Sequence, residues 1–147
     1  MHVPISHAPC WCPFEDRPPC SDNDHFEALT AAVFSARFNP TIVCRRWRSI
    51  GKAFADFDLR IVASWSDGDA ERILAYPGMI RSRKKVMATL RNARELLDKV
   101  KSHGSVQSYI ASFGADTQAL IDELDGWVHY IGAPSLRCYL QCIQRIY

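Results

Sequence analysis

No apolar run in these 147 residues approaches the roughly 18 that a membrane-spanning helix needs. No segment of strand length alternates apolar and polar residues, which argues against a sheet. No C-x-x-C pair occurs, so the six cysteines, at 10, 12, 20, 44, 138 and 142, do not form a paired zinc frame. They are also too sparse for a small secreted disulfide scaffold. Reduced thiols in a cytoplasmic protein are the expectation. The first twenty residues lack the continuous apolar core of a signal peptide.

What is present is ordinary for one globular domain: 48% hydrophobic and 23% charged residues. The net charge is only +2, but its distribution is uneven. Arg81, Arg83, Lys84, Lys85, Arg91 and Arg94 form a run without an acid among them, and Arg45, Arg46, Arg48 and Lys52 form a second cluster. Such clusters suit a polyanion, although they equally suit a solvated helix face.

Residues 1–21 read as an irregular arm, because five prolines interrupt it, with Trp11 and Phe14 as anchors. Residues 22–147 read as a bundle of about eight short helices. The first begins near Asp22 or Asp24 and stops before Pro40; Pro40 then opens a second helix capped by Asn39. A short helix follows near Arg60 to Ser64, and Ser66-Asp67-Gly68-Asp69 resembles a capping box. The longest helix spans about Ser82 to Lys101, with Val86, Leu90, Ala93 and Leu97 as its buried stripe. Arg94–Asp98 and Glu95–Lys99 are spaced for ion pairs on its outer face. Two short helices follow, and the last runs from Gly132-Ala133-Pro134 to the end of the chain.

The turn around Tyr130-Ile131-Gly132 joins two helices. Glycine there lets a phosphate approach the backbone, and the amides of Gly132, Ala133 and Ser135 then sit at a helix N-terminus that favours an anion. Such contacts hold a strand without reading its sequence.

Four segments together resemble a known family. They are Phe26-Glu27 with 31–39, Asp69 to Leu74, Pro77-Gly78 through Val86, and Tyr130 through Ser135. The chain is similar to the DNA-3-methyladenine glycosylase I family, of the helix-hairpin-helix DNA glycosylase superfamily, over about residues 24 to 147. The resemblance implies an all-α, single-domain bundle of that superfamily's type. It also implies a monofunctional hydrolase of base excision repair, which flips an alkylated purine out of double-stranded DNA and cuts its glycosidic bond. Phe34, Phe38, Asn39 and Trp11 are then the base-pocket candidates. The plainer alternative is core for the phenylalanines and a helix cap for Asn39. Arg45, Arg46, Arg83, Lys84 and Lys85 are the candidates to follow the DNA backbone.

The chain departs from the family in ways that bear on chemistry. The family's glutamate aligns with Ala32, the glycine after it with Val33, and its Leu-Ser-Trp segment reads Phe38-Asn39-Pro40. Arg37 stands where the family has glycine. Glu27 and Asp58 are the remaining candidates to orient a water, with a surface or cap role as the alternative for each. A non-catalytic DNA- or lesion-binding module is therefore the rival to the enzyme. The family's Asn-Asp-His and later Cys, half of a structural zinc site, have no counterpart up to Tyr147, so neither metal nor cofactor is expected. Only Cys10 or Cys12 with Cys138 and Cys142 remain as a set for zinc. A monomer that binds DNA and no membrane is the expectation.

Overall fold

The computed structural model describes residues 11–145, and every described regular element is helical. Helix α1 spans Asp22–Ser35 and α2 spans Pro40–Ala53. Then come α3 (Leu59–Ala63), α4 (Ala70–Leu74) and the long α5 (Arg83–His103). Finally α6 (Val106–Ala111), α7 (Thr117–Asp125) and α8 (Ala133–Cys142) close the chain. Helix α5 is the axis, packed against α1, α3, α4 and α6, while α8 lies against α1 and α7. Its buried stripe includes Val86, Leu90, Ala93, Leu96 and Val100. Burying each larger aliphatic chain contributes about 1.5–3 kcal/mol, an upper bound because unfolded chains already bury some surface.

Local chemistry sets most boundaries. Ser21 caps α1 through the Asp24 amide, in place of the expected Asp22 or Asp24. Asn39 caps α2, with Pro40 in its first turn. Asp58 caps α3, Ser82 caps α5, Ser105 caps α6 and Asp116 caps α7. Ser66 and Asp69 complete the capping box reciprocally. Between α2 and α3, Ala55, Asp56 and Phe57 all have positive φ, between 54° and 60°, a left-handed turn that side chains rarely adopt.

Four expectations need correction. Leu96 is buried, and Leu97 only partly, because α5 is covered on a slightly different face. Neither outer ion pair on α5 forms. Arg94 reaches Asp67, at 2.6 Å, and Lys99 reaches Glu123, at 3.7 Å. Helix α8 ends at Cys142 rather than at the chain terminus.

The fourth correction concerns the thiols. Cys12 and Cys142 form a disulfide across 130 residues, with Cα atoms 5.5 Å apart. The arm folds back to the end of α8 and brings the two sulfurs together, which removes both from any zinc set. Cys138 is buried on α8, and Cys10 lies outside the described residues. Among the described residues, no cluster of His, Cys, Asp and Glu fits a metal ion, and no helix is long and apolar enough to cross a membrane.

Candidate nucleic-acid interface

A cleft of about 480 Å³ opens where three segments meet: the α1–α2 connection, residues 79–82 ahead of α5, and the α7–α8 connection. The first segment turns sharply. Helix α1 stops at Ser35, Arg37 adopts φ 53°, and Asn39 restarts the helix. This geometry leaves Phe38 38% exposed, unusual for a large apolar side chain in this molecule. The second segment is pressed onto α2. A Cβ at Gly78, where φ is 87°, would lie 2.5 Å from Ser49 Oγ. Met79 and Ile80 are buried under the cleft.

Lys85, on the first turn of α5, is 3% exposed. Its Nζ donates to the main-chain oxygens of Phe34, at 2.6 Å, and Ala36, at 2.9 Å. These carbonyls end α1, where a cation is favoured by the helix dipole. The same ammonium lies 4.6 Å from the Phe38 ring centroid and 5.9 Å from that of Tyr130, which places it over two π systems. Burial lowers its pKa to about 8. Arg37, Arg46 and Arg81 also line the cleft and are exposed, and no carboxylate is among the lining residues. Among the described residues none of these three arginines forms an ion pair.

The α7–α8 connection is fixed from behind. Asn92 on α5 is buried, and its Oδ1 accepts from the His129 amide at 2.7 Å. Trp127 Nε1 donates to the Tyr109 hydroxyl, which in turn donates to Glu123. Tyr130 is held at φ 81° and faces the cleft. Gly132 is the N-cap of α8 without a side-chain cap, and Gly132, Ala133 and Pro134 are exposed. Among the described residues the amides of Gly132, Ala133 and Ser135 have no protein acceptor. Four first-turn amides are unmet in any helix, and Pro134 removes one of them here.

The expected site residues therefore divide. Phe38, Arg46 and Lys85 come together in the cleft. Lys85 is not an exposed backbone-following cation, because its charge is buried against α1. Phe34 is fully buried and packs edge-on against Phe54, so it offers no stacking face. Asn39 serves as the α2 cap. Arg45 and Lys84 are exposed outside the cleft lining, and Arg83 pairs with Glu71. Arg91 and Arg94 both pair with Asp67, whose pKa they lower, Arg94 first. Asp58 accepts from the Ile61 amide as a cap.

Glu27 and Trp11 belong to a different cluster. Trp47 Nε1 donates to Glu27 at 2.8 Å, and the Trp47 ring lies between Trp11, 5.0 Å away, and Phe57, 4.9 Å away. Desolvation raises the Glu27 pKa. Ala32 is buried, 4% exposed. Sequence reasoning missed Arg37, Arg81 and Tyr130 as cleft residues. Arg81 was visible only as part of a basic run, and nothing local marked which members of that run lack an acid.

This helical arrangement, with an open α7–α8 turn beside a cleft, has the fold of the all-α DNA glycosylases. A solved structure of 3-methyladenine DNA glycosylase I from Staphylococcus aureus superposes with a TM-score of 0.77 at 18% identity, covering 93% of this chain and 82% of that one. Another 3-methyladenine DNA glycosylase I structure gives a TM-score of 0.72 at 22% identity, over 86% of this chain and 80% of that one. Residues 7–127 match the methyladenine glycosylase family. The chain belongs to the methyladenine glycosylase family.

Proposed function

We propose that this protein is a DNA-binding member of the base-excision class, which holds one strand at the α7–α8 turn and admits an extruded nucleotide to the adjoining cleft. The observation that carries the reading is the adjacency of the two features through Tyr130, which lines the cleft two residues before the uncapped N-terminus of α8. Main-chain amides at a helix start and three arginines without an ion pair among the described residues suit phosphates. Binding is favoured over hydrolysis because no carboxylate lines the cleft and Asp58 is engaged as a cap.

Monofunctional cleavage of an alkylated purine is the second reading, and Glu27 favours it. This carboxyl is half-buried and accepts from Trp47 Nε1, and desolvation raises its pKa, as suits an acid–base group. Incubation with methylated duplex DNA separates the two. The first reading expects a retained complex and no released base. Release of methyladenine that stops in Glu27→Gln establishes the second. Absence of DNA binding overturns both.

A further inference from the structure

The arm ahead of α1 has few non-covalent holds on the bundle. Residues 11–20 contain no helix, and Pro13, Pro18 and Pro19 remove three of their amide donors. Among the described residues no hydrogen bond between main-chain groups ties this segment to the helices. The Trp11 end rests on shallow contacts. Its amide reaches Ser35 Oγ at 3.4 Å, long for a hydrogen bond, and its part-buried ring meets Trp47 edge-on at 5.0 Å. Two residues after Cys12 the grip tightens, because Phe14 is 2% exposed and sits in the core. The later Arg17–Asp24 pair lies at the surface, where an ion pair contributes little. A segment pinned at Phe14 and loosely held at Trp11 has the form of a flap, and the Cys12–Cys142 disulfide fastens its loose side.

The two sulfurs differ in access. Cys142 is 7% exposed, whereas Cys12 is more open, so an incoming thiolate reaches Cys12 first. Helix α8 does not depend on the bond for its place. It packs against α1 and α7 and buries Leu136, Tyr139 and Leu140. Opening the bond therefore releases the arm and leaves α8 where it is.

We propose that the Cys12–Cys142 disulfide is a redox-operated clasp: a dithiol reductant opens it, and the Trp11 end of the arm swings off Trp47 about Phe14. In the first exchange one thiolate of the dithiol bonds to Cys12 Sγ, and Cys142 leaves as a thiolate and takes up a proton. In the second, the other thiolate of the dithiol attacks the sulfur already bound to Cys12, and Cys12 leaves and is protonated in turn. The protein disulfide gains two electrons and two protons, and the dithiol becomes a cyclic disulfide. Trp47 Nε1 donates to Glu27 at 2.8 Å, so the clasp reaches that carboxyl through Trp47. The clasp stands whether or not the chain engages DNA.

The test uses the full chain, isotopically labelled for NMR, below its melting temperature and with or without dithiothreitol. Peptide mapping of the oxidised protein should find Cys12 joined to Cys142. Trp11→Phe and Trp47→Phe assign the two indole signals. In the oxidised protein the two rings, 5.0 Å apart, should show mutual cross-relaxation. On reduction that cross-relaxation should be lost and both indole N–H signals should shift. The signals of Trp65, against Arg72, and Trp127, bonded to Tyr109, should stay in place. Cys12→Ser should give the reduced pattern with or without dithiothreitol. Cys20→Ser, which removes an exposed thiol, should respond as the parent does. Retention of the Trp11–Trp47 contact after complete reduction overturns the proposal. So does collapse of all four indole signals to unfolded positions, which would make the bond a requirement of the fold. A map in which Cys12 and Cys142 are not joined overturns it as well.

Discussion

The Nζ of Lys85 lies 2.6 Å from the main-chain oxygen of Phe34, joining the start of α5 to the end of α1. Two helices that meet at the cleft are thereby locked by one side chain. Lys85→Met keeps the length of the stem but leaves the carbonyls of Phe34 and Ala36 without this donor. Hydrogen bonds to charged groups contribute about 1.5–3 kcal/mol, and relief of the buried charge offsets part of the loss. A urea titration should show a destabilisation of about 1–3 kcal/mol. No change would mean that the clamp is dispensable.

The Cys12–Cys142 disulfide closes almost the whole chain into a loop, with a sequence separation of 130. Chain-entropy arguments give roughly 5 kcal/mol for so long a loop, and native disulfides commonly contribute about 2–5 kcal/mol. Reductant should therefore lower the melting temperature, and Cys12→Ser should melt at the reduced value with or without reductant. A melting temperature indifferent to reductant would exclude this link between arm and α8.

Much of the fold is legible in the sequence because helix ends are decided locally. Asn39-Pro40, Ser66 with Asp69, and Ser82 each act on an amide within a few residues, so their types and spacing announce them. The disulfide was not legible, since pairing across 130 residues is a property of the packed chain. The site was legible in part. Of the residues singled out in the sequence, Phe38, Arg46 and Lys85 share the lining of one cleft. The basic run from Arg81 to Arg94 hid a division: Asp67 and Glu71 neutralise Arg91, Arg94 and Arg83, leaving Arg81 and Lys85 to the cleft. Those acids come from the 67–71 segment, and no periodicity shows that it packs there.

Asn92 offers a way to loosen the α7–α8 turn without touching it. Its Oδ1 accepts from the His129 amide at 2.7 Å, and its Nδ2 faces the His129 oxygen at 3.5 Å. Asn92→Ala leaves the part-buried His129 amide without this acceptor, at a cost of about 1–3 kcal/mol. Amide hydrogen exchange should quicken across 127–131 while the middle of α5 stays protected. Unchanged exchange there would show that the turn is held by other contacts, such as Trp127 to Tyr109.

His25 gives a pH dependence with a defined sign. The ring is 4% exposed, its Nδ1 lies 3.4 Å from the Tyr139 hydroxyl, and its Nε2 has no partner among the described residues. Burial lowers its pKa below 6.5, outweighing the opposing pull of Asp22 and Asp24. The unfolded chain therefore takes up the proton first as pH falls. The stability associated with neutral His25 is present above about pH 6.5 and is lost as pH drops through the lowered folded value. Denaturation midpoints should fall between about pH 7.5 and 5.5, and His25→Gln should flatten that slope. An equal slope in both proteins would place the dependence elsewhere.

Ala133→Pro probes directly whether the exposed amides at the start of α8 hold a DNA strand. Proline at the first helical position preserves α8 and removes one amide. Anisotropy of a labelled duplex should report binding that weakens roughly 40-fold between about 50 and about 200 mM salt, if three phosphates are neutralised. Ala133→Pro should weaken it several-fold further with no loss of melting temperature. Binding that ignores both salt and this substitution would show that these amides do not hold the phosphate backbone.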